Sequence, residues 1–261
     1  MTQDAHKAAV MLMSAHADGA PFQPFATEFG IASVADAYAV QRDYVRLQMQ
    51  ARRAGGAGYK IGLTSKRMQD MCGVDSPIAG VVLSDRVHAS GAVLNAPSYG
   101  RMGVEFEIAV RLKRDLAPKG EPSLAEVAAA VDAVCPAVEI IDDRRADYRA
   151  LDALSLIADN SWNAGVVLGE FVHAWPDLAA VEGVVSVDGT PLDRGSGGDV
   201  LGHPFQPVAW LASHLAAQGG GLRAGDVVMT GSIVTTKFPD RPASYRFDVQ
   251  GLGSVVLTVS I

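Results

Sequence analysis

The spacing of apolar and polar positions changes near residue 55. Upstream of it, Val34, Ala37, Tyr38, Gln41, Tyr44, Val45 and Gln48 recur at the three-to-four-residue interval of a helix face. Ser33, with Asp36 three residues on, marks the helix start. Gly55-Gly56-Ala57-Gly58 stops the helix after Ala54. The pattern predicts an N-terminal helical portion over 1–58 and a β-rich catalytic domain over 59–261. In that second part, short apolar runs bounded by turn residues predict strands. They are Tyr59 to Leu63, Gly80 to Leu83, Val104 to Leu112, Ala137 to Ile141, Gly165 to Leu168, Gly183 to Val187, Asp226 to Thr230, Tyr245 to Val249 and Ser254 to Ile261. Two helices interrupt them: Ser123 to Val134, opened by a Ser-x-x-Glu capping box, and Pro207 to Gln218, stopped by three glycines. Strands and helices do not alternate regularly, which disfavours a doubly wound parallel sheet. The expected class is α+β, rich in β-structure.

Composition narrows the setting. Apolar residues make up 49% and charged residues 20% of the 261 positions, an ordinary globular profile. With 22 basic and 29 acidic residues, the net charge of -7 argues against a nucleic-acid partner. No apolar run approaches the roughly 18 residues of a membrane span, and the first residues carry no basic-then-apolar leader pattern. Cys72 and Cys135 have no metal-ligand spacing and read as free thiols of a cytoplasmic protein.

Candidate chemistry begins at Val104-Glu105-Phe106-Glu107-Ile108. A strand here sends Glu105 and Glu107 to one face, about 7 Å apart. Alternation alone also fits a solvated face. In Val138-Glu139-Ile140-Ile141, a lone glutamate sits in a run that reads as buried on both sides. A buried carboxylate requires a cation, a hydrogen-bond network or a proton. A divalent ion shared by Glu105, Glu107 and Glu139 meets that need, and all-oxygen ligation selects Mg²⁺ or Mn²⁺ over Zn²⁺. Lys60, between glycines on a short apolar strand, either reaches solvent with its head or serves beside the acids. Asn160, Ser161, Thr230 and Ser232 offer compact donors to a small ligand. Arg144 and Arg145 read as surface ion pairs, and His203 as a loop residue.

These segments together make the chain similar to the 2-keto-4-pentenoate hydratase / 4-oxalocrotonate decarboxylase family, within the wider fumarylacetoacetate hydrolase superfamily. The resemblance runs over nearly the whole chain. Lys60-Ile61-Gly62-Leu63-Thr64-Ser65, Gly73-Val74-Asp75-Ser76-Pro77, Val104 to Ala109, Pro136 to Asp142, Ile157-Ala158-Asp159-Asn160, Gly202-His203-Pro204 and Gly225 to Gly231 carry it, in that order. It implies mixed β-sheets rolled around a metal site, an N-terminal helical portion and a homo-oligomer. It further implies that Glu105, Glu107 and Glu139 hold Mg²⁺ or Mn²⁺ and that Lys60 is an active-site lysine. The implied substrate is a small 2-oxo or 2-hydroxydienoic acid from aromatic-ring degradation, bound by its 1-carboxylate and 2-oxo oxygens. The implied reaction adds water to a 2-hydroxy-2,4-dienoate, giving a 4-hydroxy-2-oxo acid. Decarboxylation of a 4-oxalocrotonate-type enedioate is the close alternative. Hydrolysis of an acylpyruvate C–C bond and a non-catalytic binding role stand further off. One position departs from the hydratase pattern: where hydratases often carry an aspartate after the proline, this chain has Ile78, an apolar substrate-side residue that favours decarboxylation. Asp75 is either an acid/base or a turn former.

Overall fold

A computed structural model describes residues 3–261; Met1 and Thr2, the first residues of the N-terminal portion expected over 1–58, lie outside it. Two helices open the chain, α1 (Gln3–Ala17) and α2 (Val34–Arg52). Ser33 caps α2 as expected, its side chain accepting from the Asp36 N–H, and Arg53 closes the helix in a left-handed conformation. There follow β1 (Gly56–Gly62), α3 (Lys66–Cys72), β2 (Ile78–Leu83), β3 (Val87–Ala89), β4 (Ala92–Asn95) and β5 (Met102–Leu112). Next come α4 (Leu124–Ala130), β6 (Val131–Asp142), α5 (Ala153–Ala158), β7 (Asn163–Leu168), β8 (Glu182–Val187) and β9 (Thr190–Ser196). The chain ends with α6 (Phe205–Ala217), β10 (Val227–Ser232), β11 (Ala243–Val249) and β12 (Gly253–Ser260). The 58/59 division falls inside β1, and the N-terminal helices share the main hydrophobic core with both sheets.

One segment corrects the sequence reading. The helix expected over Ser123 to Val134 has its capping box, but it ends at Ala130, and Val131 to Val134 begin the long strand β6. Two consecutive valine-containing pairs beside β5 outweigh continued helix, because β-branched residues fit a paired strand better than a helix interior.

Seven strands form one mixed sheet in the order β2-β1-β10-β5-β6-β7-β3, and five form a second, β4-β12-β11-β8-β9. The outer face of the first sheet carries Val104, Phe106, Ile108 and Val110, all fully buried. There Phe106 meets Tyr245 and Phe247 of the second sheet, with ring centroids 6.1 and 5.6 Å apart. Register fixes the inner face: Lys60 lies beside Met229, Met229 opposite Ala109, Ala109 opposite Cys135, and Glu105 opposite Glu139. Below the glutamates, Val82, Ala109, Cys135, Ala137, Val166 and Met229 fill that face as a second, small apolar cluster.

The seven-stranded sheet curls until β2 approaches β7, and Asn160 closes the gap. Its amide accepts from Val81 N at 2.7 Å and donates to Val81 O at 2.9 Å, replacing the ladder a neighbouring strand would supply. Asn160, Ser161 and Trp162 all have left-handed backbones, φ 52, 50 and 58°. Left-handed helical geometry costs roughly 1–2 kcal/mol per L-residue, so this seam is a strained turn held by its contacts. Gly80 permits it, since a Cβ there would stand 2.5 Å from Asn160 O.

Candidate metal centre

Three carboxylates meet on the inner face because of strand geometry. The period of two puts Glu105 and Glu107 on the same side of β5, and the register of β6 sets Glu139 directly opposite Glu105. One ligand oxygen from each lies within 4.8 Å of the others, and among the described residues this is the one cluster of three or more His, Cys, Asp or Glu so arranged. Glu107 and Glu139 are fully buried, and Glu105 is partly exposed.

Neighbouring strands aim each group. Gly231 N donates to Glu107 Oε2 at 2.7 Å, Asn163 Nδ2 to Glu139 Oε1 at 2.9 Å, and Thr236 Oγ1 to Glu105 Oε1 at 2.6 Å. Lys60 Nζ reaches Glu139 Oε1 at 3.3 Å and is itself buried. Glu107 Oε1 and Glu139 Oε2 remain buried with no partner among the described residues.

Burial, then the charges of Glu139 and Glu105, holds the Glu107 carboxyl well above its ordinary range. Burial also raises Glu139, and the pull of Lys60 and Asn163 leaves it at about 7. For Lys60, burial opposes charge, but the three glutamates, led by Glu139, outweigh it and keep the ammonium above its usual value. Three acids against one lysine is a charge deficit in a dry site.

The donor set fits a hard divalent cation. The two orphaned oxygens belong to this cluster and would contribute to an all-oxygen ligand set for such an ion. Glu105, Glu107 and Glu139 would hold it, with Gly231, Asn163 and Thr236 orienting them.

The other predicted site residues fall into two groups. Ile78, buried, stands beside Lys60: a Cβ on Gly62 would meet Lys60 Nζ at 3.2 Å and Ile78 Cγ1 at 3.5 Å. Thr230 and Ser232 flank the site but spend their hydroxyls on the backbone, donating to Ile108 O at 2.7 Å and Val234 O at 2.8 Å. The donor to a carboxylate expected in Thr230-Gly231-Ser232 is the Gly231 N–H, and its acceptor is Glu107.

Asn160 and Ser161, expected to contact substrate, use their side chains on Val81 and Ala79 O to close the roll. Asp75 is exposed and does not join the cluster. The turn before β2 carries it outward. Arg144 is no surface pair, since it is buried and bonded to Asp159. His203 lies in the turn before α6 and accepts from Phe205 N at 2.9 Å. Asn163 was missed because an amide has no chemistry until the register places it.

The fold is a mixed-sheet roll whose inner face gathers three carboxylates, two of them fully buried, and a buried lysine. The chain belongs to the fumarylacetoacetate (FAA) hydrolase C-terminal family, whose model matches residues 40–260. It is 32% identical over 255 residues to 2-keto-4-pentenoate hydratase of Burkholderia vietnamiensis (strain G4 / LMG 22486), covering 96% of this chain and 95% of that one. It is 36% identical over 234 residues to 2-hydroxyhexa-2,4-dienoate hydratase of Comamonas testosteroni, covering 85% and 84%. The solved structure of 4-oxalocrotonate decarboxylase from Pseudomonas putida G7, complexed with magnesium and adipate, matches with a TM-score of 0.91 at 31% identity, covering 99% of this chain and 98% of that chain. The fold and family expected from the sequence are borne out.

Proposed function

We propose that this protein is a Mg²⁺- or Mn²⁺-dependent lyase that adds water to a 2-hydroxy-2,4-dienoate, forming a 4-hydroxy-2-oxo acid in aromatic-ring breakdown. The observation that carries this is the pair of partnerless buried oxygens, Glu107 Oε1 and Glu139 Oε2, in a triad with one lysine for three acids. Hydratases and a decarboxylase among full-length relatives support it. Bound by Glu105, Glu107 and Glu139, the cation supplies Lewis-acid stabilisation of negative charge on the oxygens of a 2-oxo acid.

The chain's own groups do the rest. Lys60 Nζ, kept charged by the glutamates, is the proton source facing the substrate and Glu139 Oε1 the acceptor that steadies it. Gly231, Asn163 and Thr236 fix the carboxylates before substrate arrives. The buried Ile78 keeps water from the ammonium on one side.

That same isoleucine favours a second chemistry, decarboxylation of a 2-oxo-enedioate, which requires no water at C4. Parallel incubation of the Mg²⁺-loaded protein with 2-hydroxypenta-2,4-dienoate and 4-oxalocrotonate separates the two, following absorbance and CO₂. Loss of dienoate absorbance is expected; CO₂ from 4-oxalocrotonate without dienoate turnover overturns hydration. Two further parts of the proposal are a cytoplasmic location, suited to the free buried Cys72 and Cys135, and a homo-oligomer, suited to the exposed Val93, Leu192 and Ile261.

A further inference from the structure

Two further charged groups continue the face that carries Glu105 and Glu107: Arg111 near the C-terminal end of β5, paired with Asp132, and Arg101 immediately before β5. Period two aligns Arg101, Gly103, Glu105 and Glu107, and register sets Gly103 opposite Ile141. With no side chain on Gly103, neighbours take the space. A Cβ there would meet Ile141 Cγ1 at 2.7 Å and Phe238 Cε1 at 3.1 Å. An apolar floor therefore runs from Glu105 to Arg101.

At the far end of that floor the guanidinium is held on three sides. It lies 4.7 Å from the Phe238 ring centroid and 6.0 Å from that of Tyr148. Its Nε donates to the buried Asp143 at 2.8 Å, and Nη2 donates to Asp143 and to Ala146 O. Nη1 has no hydrogen-bond partner among the described residues, and the side chain keeps 38% exposure. The result is a rigid arginine with one open edge.

We propose that Arg101 is a specificity residue that receives the far carboxylate of a dicarboxylic 2-oxo acid whose head sits at the glutamates; this rests on the 2-oxo acid reading above. Arg101 and Glu105 are four residues apart on the strand, about 13 Å between Cα atoms at roughly 3.3 Å per residue. An extended arginine side chain and a six-carbon diacid bridge that span together. Guanidinium geometry matches a carboxylate. The stacking and the Asp143 pair have already removed most of the side-chain freedom that binding would otherwise cost. An apolar tail gains only the floor. The device separates enedioates from simple dienoates, and so bears on which lyase reaction the site performs.

Calorimetric titration of the full Mg²⁺-loaded chain with 2-oxoadipate and with 2-oxohexanoate reads binding without turnover. The wild-type chain is expected to bind the diacid about 10- to 100-fold tighter, the range of a hydrogen bond to a charged group. Arg101→Gln is expected to remove that preference and leave 2-oxohexanoate affinity unchanged. Asp143 keeps bonds from Tyr148 Oη and Arg145 N in that variant. If it still fails to fold, Phe238→Ala serves, at an exposed position that leaves the Asp143 pair intact, with the preference expected to fall about threefold or more. Equal wild-type affinity for the two acids overturns the proposal. So does an Arg101→Gln chain that weakens both alike, the mark of a structural arginine. If neither acid binds the loaded wild-type chain, the 2-oxo acid reading fails, and the proposal falls with it.

Discussion

Two buried groups of charge lie close together in this molecule and are built to opposite rules. Around Asp159 every charge has its counterpart: Arg144 Nη2 and His16 Nε2 bond its two oxygens, and the same helix-to-roll junction ties α1 to the seam at Asn160. Asp143 is likewise held by Arg101, Tyr148 and the Arg145 N–H. Around Glu107 and Glu139 the balance is withheld. Three carboxylates face one lysine, and two oxygens have no partner. Asp159, Asp143, Glu107 and Glu139 are all buried, so burial does not distinguish these acids. What distinguishes them is satisfaction of the carboxylate oxygens, since only Arg144 Nε lacks a partner in the first cluster, and leaving buried carboxylates unsatisfied costs stability unless a cation joins them. The first cluster ties the fold together; the second leaves two carboxylate oxygens uncompensated.

Single substitutions should therefore have opposite effects in the two clusters. Glu107→Ala is expected to lower Mg²⁺-dependent turnover by at least about 10²- to 10³-fold, while the metal-free chain unfolds at the same or higher urea concentration, because an unpaired buried acid has gone. Asp159→Ala leaves Arg144 charged and buried, and is expected to cost about 3–5 kcal/mol in urea unfolding. Undiminished turnover in Glu107→Ala would sink the triad assignment. Equal destabilisation by the two variants would erase the distinction between the clusters.

The smaller effect of pH sharpens the same contrast. In the folded metal-free chain Glu139 keeps its proton up to about 7, whereas an unfolded glutamate releases it near its ordinary 4.5. The folded state then binds more protons than the unfolded state between those values, so stability should fall as pH rises from about 4.5 to 7, and the raised Glu107 carboxyl adds to the fall in the same direction. The Glu139 part is on the order of 3 kcal/mol. Mg²⁺ competes with those protons, so its affinity should rise across the same window. At a hundredfold excess over Kd it restores about 2.7 kcal/mol. Thermal melts at pH 5, 6 and 7.5, with and without Mg²⁺, check this; a metal-free chain that gains stability toward pH 7 would show that Glu139 is not raised.

How much of this was legible in the sequence follows from the range of the forces involved. Alternation along β5 is local, so Glu105 and Glu107 could be assigned to one face from their spacing, and Glu139 stood out as an acid in an apolar run. Their convergence is a matter of register, and only the β5–β6 ladder pairs Glu105 with Glu139. The strands β3 and β4 escaped notice because three and four residues carry too few alternations to rise above loop composition, and β9 because Thr190-Pro191-Leu192-Asp193-Arg194-Gly195-Ser196 has the composition of a turn. Asn160 and Ser161 looked like ligand donors because compact polar residues serve seams and sites alike. Nothing local says that their partners are Val81 and Ala79 on a strand some eighty residues upstream. Arg144 was misjudged for the same reason: its partner Asp159 lies beyond the range of any sequence pattern.

Asn163 gives the finest test of the contrast, since it belongs to the site without carrying charge. Its Nδ2 donates to Glu139 Oε1, the oxygen that Lys60 also approaches, leaving Oε2 free. Behind it lies a cavity of about 310 Å³ lined by Tyr44, Tyr99, Arg52 and Arg86, so truncation opens room for water rather than collapse of the roll. Asn163→Ala should therefore weaken Mg²⁺ binding about 10- to 100-fold, the usual effect of removing a group that orients a ligand. Urea stability of the metal-free chain should change by only about 1 kcal/mol. Calorimetry of Mg²⁺ binding beside urea titration reads both quantities in the same protein. Unchanged metal affinity would mean that Glu139 is aimed by Lys60 alone, and the orienting role would pass from the amide to the ammonium.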